Sequence, residues 1–312
     1  MRVAIVGLGT IAKTHVGAWE RLPDVDFVAG VDVRDIEGWG FRGRPVPIHR
    51  SIEELAAYQP DCVVVATPTP HHYQACGEIL RCLQTRILIE KPLASTLSDS
   101  LALLERTDDL VVLYHAAYAP EVRWAAERLS SWLDQFGPIK SFQCMFSDPW
   151  RDDPNTAATR YVSSWVDSGI NCLSVLARLV RLEDLIDFTA IDERSSVYEA
   201  AVRFSSRGQS GRGDIRTSWD VATAAKHTTV EFGTGVTLVL NHQEVNAVAR
   251  DERGATIERF RFDHSTPRLV SHYVNLYASV LFDAQPYAFG VEENKLLYRL
   301  LFGAVGVVTE CG

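Results

Sequence analysis

The chain opens on "RVAIV" (2–6), which reads as a buried strand, then "GLGTIA", then an apolar helical pattern that runs through Ala18. A strand that ends in G-x-G-x-x-A and turns straight into a helix restricts the possible folds more than any other short feature of this sequence. Gly7 permits the tight turn and Gly9 lets the backbone approach a pyrophosphate. Ala12 keeps the helix close to the strand, and the first helical N–H groups, at Thr10 and Ile11, are left for phosphate oxygens. Glycine-rich turns are common in loops, so the weight lies in the context, with a strand before and a helix after. A second run, "DFVAGVD", ends at Asp32, about twenty residues past the glycines, where a carboxylate accepts the ribose hydroxyls of NAD. Asp32 would repel a 2′-phosphate, and Arg34, two residues on, offsets part of that repulsion. The cofactor expected is therefore NAD, with NADP also open.

The stretch "VRDIEGWGFRGRPVPIHR" is too rich in Gly and Pro for a full crossover helix. "SIEELAAYQ" carries a capping box, with Ser51 as N-cap and Glu54 three residues later. Apolar strands then alternate with helices. "PDCVVVATPTPHH" ends at Thr67-Pro68, a helix covers about 73–83, "RILIEKP" follows, a helix covers 98–106, and "LVVLYHA" closes the series. Uniformly apolar strands separated by helices mean a parallel sheet covered on both faces. Ligands of such sheets bind beyond the carboxyl ends of the strands. Thr67, Pro68, His72, Glu90, Lys91 and His115 all lie at those ends, and Lys91 is delivered to the rim where a nicotinamide would lie.

At 312 residues the chain is long enough for two domains. Its formal charge of −9 argues against a general nucleic-acid or acidic-membrane surface. No apolar run approaches the ~20 residues of a membrane span, and the N-terminus carries no signal-peptide pattern. The six cysteines are scattered without CxxC spacing, which suits free thiols in a reducing cytoplasm and not a zinc site.

"GLGTIAKTH", "ATPTPHHYQACGEIL" and above all "EKPLA" resemble the glucose–fructose oxidoreductase / inositol dehydrogenase / MocA family. The resemblance implies an α/β chain: an N-terminal Rossmann parallel sheet, then an α+β domain built on a largely antiparallel open sheet. It also implies that Lys91 contacts the reacting hydroxyl and that Pro92 follows a cis bond which fixes the lysine's direction. Family members usually read D-x-G-x-H-x-x-D where this chain reads "WVDSGINCLSVLARLV" (165–180). Asp167 and Gly169 match, Asn171 replaces the histidine and Ser174 the last acid. That form resembles the family's aldose 1-dehydrogenases, which oxidise an anomeric hydroxyl to a lactone. The residues agree with the grouping in their own way. On a helix over 167–181, Asp167, Asn171, Ser174 and Arg178 share one stripe and apolar residues cover the rest; a plain N-cap at Asp167 would explain part of that pattern.

The expected domains are 1–118 for the dinucleotide, 119–290 for substrate and oligomerisation, and 291–312 as a helix packing back on the first. The expected activity is NAD(P)-dependent oxidation of a sugar hydroxyl, at C1 of an aldose. The alternatives are a sugar or nucleotide-sugar 3-oxidoreductase, a reductase on the same scaffold, and an inactive dinucleotide-binding regulator. Lys91 would hold the hydroxyl oxygen, Asp167 would take or position the proton, and Asn171 would orient the ring, with His115 as a second base candidate. The irregular segment 147–165 offers Trp150, Arg151, Arg160, Tyr161 and Trp165 as sugar contacts; two inward arginines there would favour an anionic substrate. Several later strands alternate apolar with polar residues. One face of their sheet is then wet or lies at a subunit contact, giving a homodimer or homotetramer. Gly303 and Gly306 suggest close helix contacts near the C-terminus.

Overall fold

The computed structural model describes residues 1–151, 162–192, 196–282 and 289–309, the last six of these by backbone alone. Arg160 and Tyr161 lie outside what is described, and Gly306 is described by its backbone alone, which leaves the contacts expected of it untold. Two compact units divide the chain: Met1–His115 with Pro267–Lys295, and Ala116–Thr266 with Leu296–Gly312.

The first unit is built on β1 (Arg2–Val6), α1 (Thr10–Trp19), β2 (Asp26–Val31), β3 (Gly40–Phe41), β4 (Arg44–Pro45), β5 (Ile48–His49), β6 (Cys62–Val65), α2 (His72–Cys82), β7 (Arg86–Glu90), α3 (Leu97–Arg106) and β8 (Leu110–Leu113). Six strands form one parallel sheet in the order β5-β2-β1-β6-β7-β8. Val3, Ala4, Ile5, Val63, Val64, Ile87, Leu88 and Ile89 have no exposed surface. Burial on both faces is why these strands lack a polar alternation. The broken stretch after Asp32 yields only the two-residue strands β3 to β5. The Ser51–Glu54 capping box is present, but it opens a 3-10 turn, Ile52–Tyr58, in place of an α-helix. The Lys91–Pro92 peptide bond is cis.

The second unit contains α4 (Pro120–Phe136), β9 (Ile139–Ser147), a π-helical turn Trp165–Gly169 that runs into α5 (Ile170–Leu176), and the strands β10 (Arg181–Asp192), β11 (Val197–Ser206), β12 (Gln209–Ser218), β13 (Ala225–Phe232), β14 (Thr237–Asn241), β15 (Asn246–Arg250) and β16 (Thr256–Arg261). Eight strands order as β10-β11-β12-β9-β13-β14-β15-β16, and β9 against β12 is their one parallel pairing. The sheet is thus largely antiparallel. Its inner face packs on α4 through Trp124, Trp132, Phe136 and Phe232, while Ile186, Ile191 and Ile257 stay exposed.

Two helices close the chain, α6 (Arg268–Tyr277) and α7 (Val291–Thr309). α6 belongs to the first unit, where Tyr273, Leu276 and Tyr277 are fully buried. The division therefore differs from the sequence expectation, which gave 119–290 to the substrate domain and returned only 291–312 to the nucleotide domain. The aromatic face of α6 places that helix in the nucleotide unit, where it is buried, whereas Leu296–Gly312, expected to return there too, falls in the second unit, where the Trp165 indole N–H donates to Leu301 O. Gly303 also departs from expectation: a Cβ there would meet nothing, so it marks no close helix contact. Among the described residues no helix is long and apolar enough to cross a membrane.

Candidate active site

The turn from β1 into α1 has the form a dinucleotide needs. Gly7 has φ +97°, and a Cβ on it would stand 2.6 Å from the Thr67 nitrogen, so only glycine lets this turn lie against the end of β6. A Cβ on Gly9 would meet nothing, which leaves open space before α1. No side chain caps that helix, so its first N–H groups remain for an anion. Asp32 follows the end of β2 with its side chain 6% exposed. Its Oδ2 accepts from the Leu8 N–H (2.8 Å), which ties the carboxylate to the glycine turn. Burial opposes its ionisation, but hydrogen bonds from the Arg34 side chain and backbone and from Leu8 outweigh burial and bring the carboxyl down to about 2. At the end of β6 the Thr67 hydroxyl is buried without a partner. These features fit NAD: Gly7, Gly9, Thr10 and Ile11 would face the pyrophosphate, Asp32 the ribose, and Thr67 and the exposed Pro68 the rim.

Backbone and side chains bind the strand ends together there. The His72 ring is buried between two carbonyls, with Nε2 2.8 Å from Thr67 O and Nδ1 3.0 Å from Pro92 O. Burial lowers its pKa, so the neutral ring donates to one of the two. His72, expected at the cofactor, ties the end of β6 to the Lys91-Pro92 rim. Glu90, too, points inward, 7% exposed. Its Oε1 accepts from the Tyr273 hydroxyl at 2.5 Å. Burial, with the charge of Glu90, holds the Tyr277 phenol well above its ordinary range. That phenol stays protonated, and its oxygen lies 2.6 Å from His15 Nδ1. His15 Nε2 lies 3.3 Å from Glu90 Oε1. Lys91 follows Glu90 and is half-buried. His115 stacks on Tyr273, and its Nδ1 lies 3.4 Å from His272 Nδ1.

In the second unit, Asp167 lies inside the π-helical turn, its N–H donating to Ser163 O at 3.0 Å, so it is not the helix N-cap. Asn171 is 7% exposed, and its Oδ1 is buried with no hydrogen-bond partner. Ser174 is committed to the backbone, donating to Asn171 O at 3.0 Å, and the Arg178 guanidinium lies over the Tyr118 ring at 4.6 Å. The polar stripe thus narrows to Asp167 and Asn171. Trp165, expected as a sugar contact, is fully buried, and its indole N–H donates to Leu301 O at 2.8 Å. It is a packing residue. A Cβ on Gly169 would come within 3.1 Å of the Trp165 ring, so the glycine of the D-x-G motif serves that packing. Trp150 is half-buried and pairs with Trp219 (5.9 Å between ring centres). Arg151 is held by Asp220 at 3.0 Å, so it does not stand ready for an anionic substrate.

The family model described as "Oxidoreductase family, NAD-binding Rossmann fold" matches residues 1–118. The chain is also similar in fold to solved structures. An NAD binding oxidoreductase from Klebsiella pneumoniae shares 16% identity at TM-score 0.80, covering 100% of this chain and 97% of that one. Levoglucosan dehydrogenase, solved with NADH and levoglucosan, shares 14% at TM-score 0.76, covering 99% and 97%. A myo-inositol dehydrogenase from Corynebacterium glutamicum shares 15% at TM-score 0.70, covering 98% and 96%. At such identities the likeness establishes the fold. No curated protein matches the sequence.

In the first unit, sequence reasoning missed His15, Tyr273 and Tyr277. His15 stands inside the quoted "GLGTIAKTH", but its partner Tyr277 is 262 residues away, and Tyr273 is 183 residues from Glu90. A histidine on the buried face of an otherwise apolar first helix was the one available signal.

Proposed function

We propose that this oxidoreductase oxidises a sugar hydroxyl with NAD, and that the carbon attacked is C1 of an aldose, giving a lactone. The observation that carries the reading is Asn171. It stands where related sequences usually place a histidine, and it is buried with its carbonyl oxygen unpartnered. A buried acceptor of that kind suits a hydroxyl donor on a sugar ring. An amide takes no proton at neutral pH, so the site suits a substrate hydroxyl that is itself acidic. An anomeric hydroxyl is more acidic than an ordinary secondary alcohol. The names of two fold neighbours, levoglucosan and myo-inositol dehydrogenases, agree with a polyhydroxylated ring.

The nicotinamide, when bound, supplies the hydride acceptor. The chain's own residues handle the oxygen and the proton. The Lys91 ammonium donates to the hydroxyl oxygen and stabilises the negative charge that develops there. Asp167 accepts the proton, and Asn171 hydrogen-bonds a ring hydroxyl and sets the orientation. Arg151 is neutralised by Asp220, which favours a neutral sugar.

The test is a panel of free pentoses and hexoses offered with NAD or NADP, following reduced cofactor by absorbance and the sugar acid by chromatography. Turnover that yields an acid after lactone hydrolysis supports C1 oxidation. A ketosugar product, or silence across the panel while NADH still binds, overturns it.

A further inference from the structure

β7 ends on a charge that packing does not require. Ile87, Leu88 and Ile89 are fully buried, yet the next residue, Glu90, is a carboxylate drawn in against α1 and α6. Its Oε1 accepts from the Tyr273 hydroxyl at 2.5 Å and lies 3.3 Å from His15 Nε2. His15 has no exposed surface either. Its ring is held on three sides: Nδ1 lies 2.6 Å from the Tyr277 hydroxyl oxygen, the Tyr273 ring meets it edge to face at 4.5 Å between centres, and Nε2 faces the carboxylate. Stability alone does not explain such a cluster, because apolar side chains of similar volume serve a buried site as well or better than a carboxylate and an imidazole do. A buried polar contact does what an apolar one does not: few arrangements satisfy it, so it holds its members in one geometry.

The group next to that geometry is Lys91. Glu90 pairs with Leu113 of β8 in the sheet, and its side chain is pinned from α1 and α6. On the other side of the lysine, Pro92 O lies 3.0 Å from His72 Nδ1. Lys91 is thus carried between two anchored neighbours. One anchor belongs to α1, whose first N–H groups are left for the pyrophosphate. His15 lies five residues beyond Thr10 on that helix, about 7.5 Å along its axis.

We propose that His15 is a positioning residue for Lys91: through Glu90 it ties the stretch that carries the lysine to the helix that holds the pyrophosphate. Loss of His15 then misplaces the lysine without weakening the cofactor. The kinetic part of the proposal rests on the reading that Lys91 acts on the substrate hydroxyl; the placement of the lysine does not, and is measured without a sugar.

The experiment takes the full chain, natural and as His15→Leu, His15→Gln and Glu90→Gln. The rate at which trinitrobenzenesulfonate labels Lys91 is followed by mass spectrometry, with the exposed Lys13 on α1 and Lys140 on β9 as references. His15→Leu fills the space without a nitrogen and should change the Lys91 rate by roughly threefold or more, with both references unchanged. His15→Gln returns a nitrogen toward the carboxylate and should bring the rate back most of the way. Glu90→Gln should change the rate too, and His15→Leu added to it should change nothing more, since the two residues act as one contact. With a sugar that the protein turns over, His15→Leu should lower kcat by roughly 10- to 100-fold and leave NADH affinity within about threefold, and in a Lys91→Met background it should cost nothing further. A natural Lys91 rate in His15→Leu would overturn the proposal. So would a change shared by the references and not rescued by His15→Gln, which would make His15 a packing residue. Near-normal turnover in Lys91→Met would instead sink the role given to the lysine, and the labelling rates would still decide what places it. A circular dichroism spectrum checks that each variant folds.

Discussion

Four N–H donors on a buried carboxylate make Asp32 a stability element as well as a ribose acceptor. Its native carboxyl lies at about 2 against an ordinary 3.8. A depressed native value means stabilisation present above the unfolded pKa and lost as pH falls through the native one. With the Arg34 side chain 63% exposed, solvent screening holds the contribution to about 1 kcal/mol. It should be complete above pH ~4 and disappear between ~4 and ~2. Asp32→Asn should therefore melt below the natural protein near neutrality, and the gap should close on acidification. Melting curves at a series of pH values check this, and a constant gap would mean that the carboxylate's charge is not what stabilises. Lys91 belongs to chemistry more than to stability. Lys91→Met should leave NADH affinity intact and lower turnover by about 10²- to 10⁴-fold. Near-normal turnover would remove Lys91 from the mechanism.

α6 was legible as a helix but not as part of the nucleotide unit. Its apolar spacing is local, whereas the unit it joins is decided by where its tyrosines are buried. Tyr273 covers the carboxylate that precedes Lys91, and Tyr277 orients His15 against that same carboxylate. Tyr273→Phe takes one donor from a buried charge, a change that costs about 1–3 kcal/mol. Urea unfolding should show that loss, while Tyr198→Phe on β11 of the other unit should be near neutral. Equal losses would argue that the Tyr273 hydroxyl is incidental. The D-x-G helix shows the same limit of local reasoning. Its sequence spacing suggests one α-helix over 167–181, but the chain makes a π-helical turn before α5 and ends the helix at Leu176. Gly169 sits close against the buried Trp165 ring, and a tight turn through Arg178 and Leu179 leads straight into β10 at Arg181. Asp167 and Asn171 were findable because a motif names them. That Trp165 packs inward was not, since a tryptophan beside a polar stripe looks the same in sequence whichever way its ring points.

At the scale of the whole molecule, a cofactor domain that the family model bounds at residue 118 is completed by Pro267–Lys295. The strand–glycine–helix start, the strand ends and the Lys91-Pro92 rim are all local patterns, so the first boundary could be read from the chain. The second could not, because it depends on contacts that skip the whole intervening unit. Tyr114 donates to Asn294 Oδ1 at 2.7 Å, Arg86 to Val280 O at 2.9 Å, and Lys295 pairs with Glu105 at 3.3 Å. A fragment ending at residue 118 would expose the α1 surface that α6 covers and leave Glu90, His15 and Tyr114 without those partners. Each buried polar group so orphaned costs about 1–3 kcal/mol, and a domain's whole stability is only about 5–15 kcal/mol. Residues 1–118 alone should therefore melt early and bind NADH poorly. Joining residues 267–295 to them through a flexible Gly/Ser linker should restore both. Thermal melting and NADH titration of the two fragments decide it: full affinity in the short fragment would mean that the returning segment lends the site nothing, and recovery only in the joined one would make α6 part of the cofactor site's foundation.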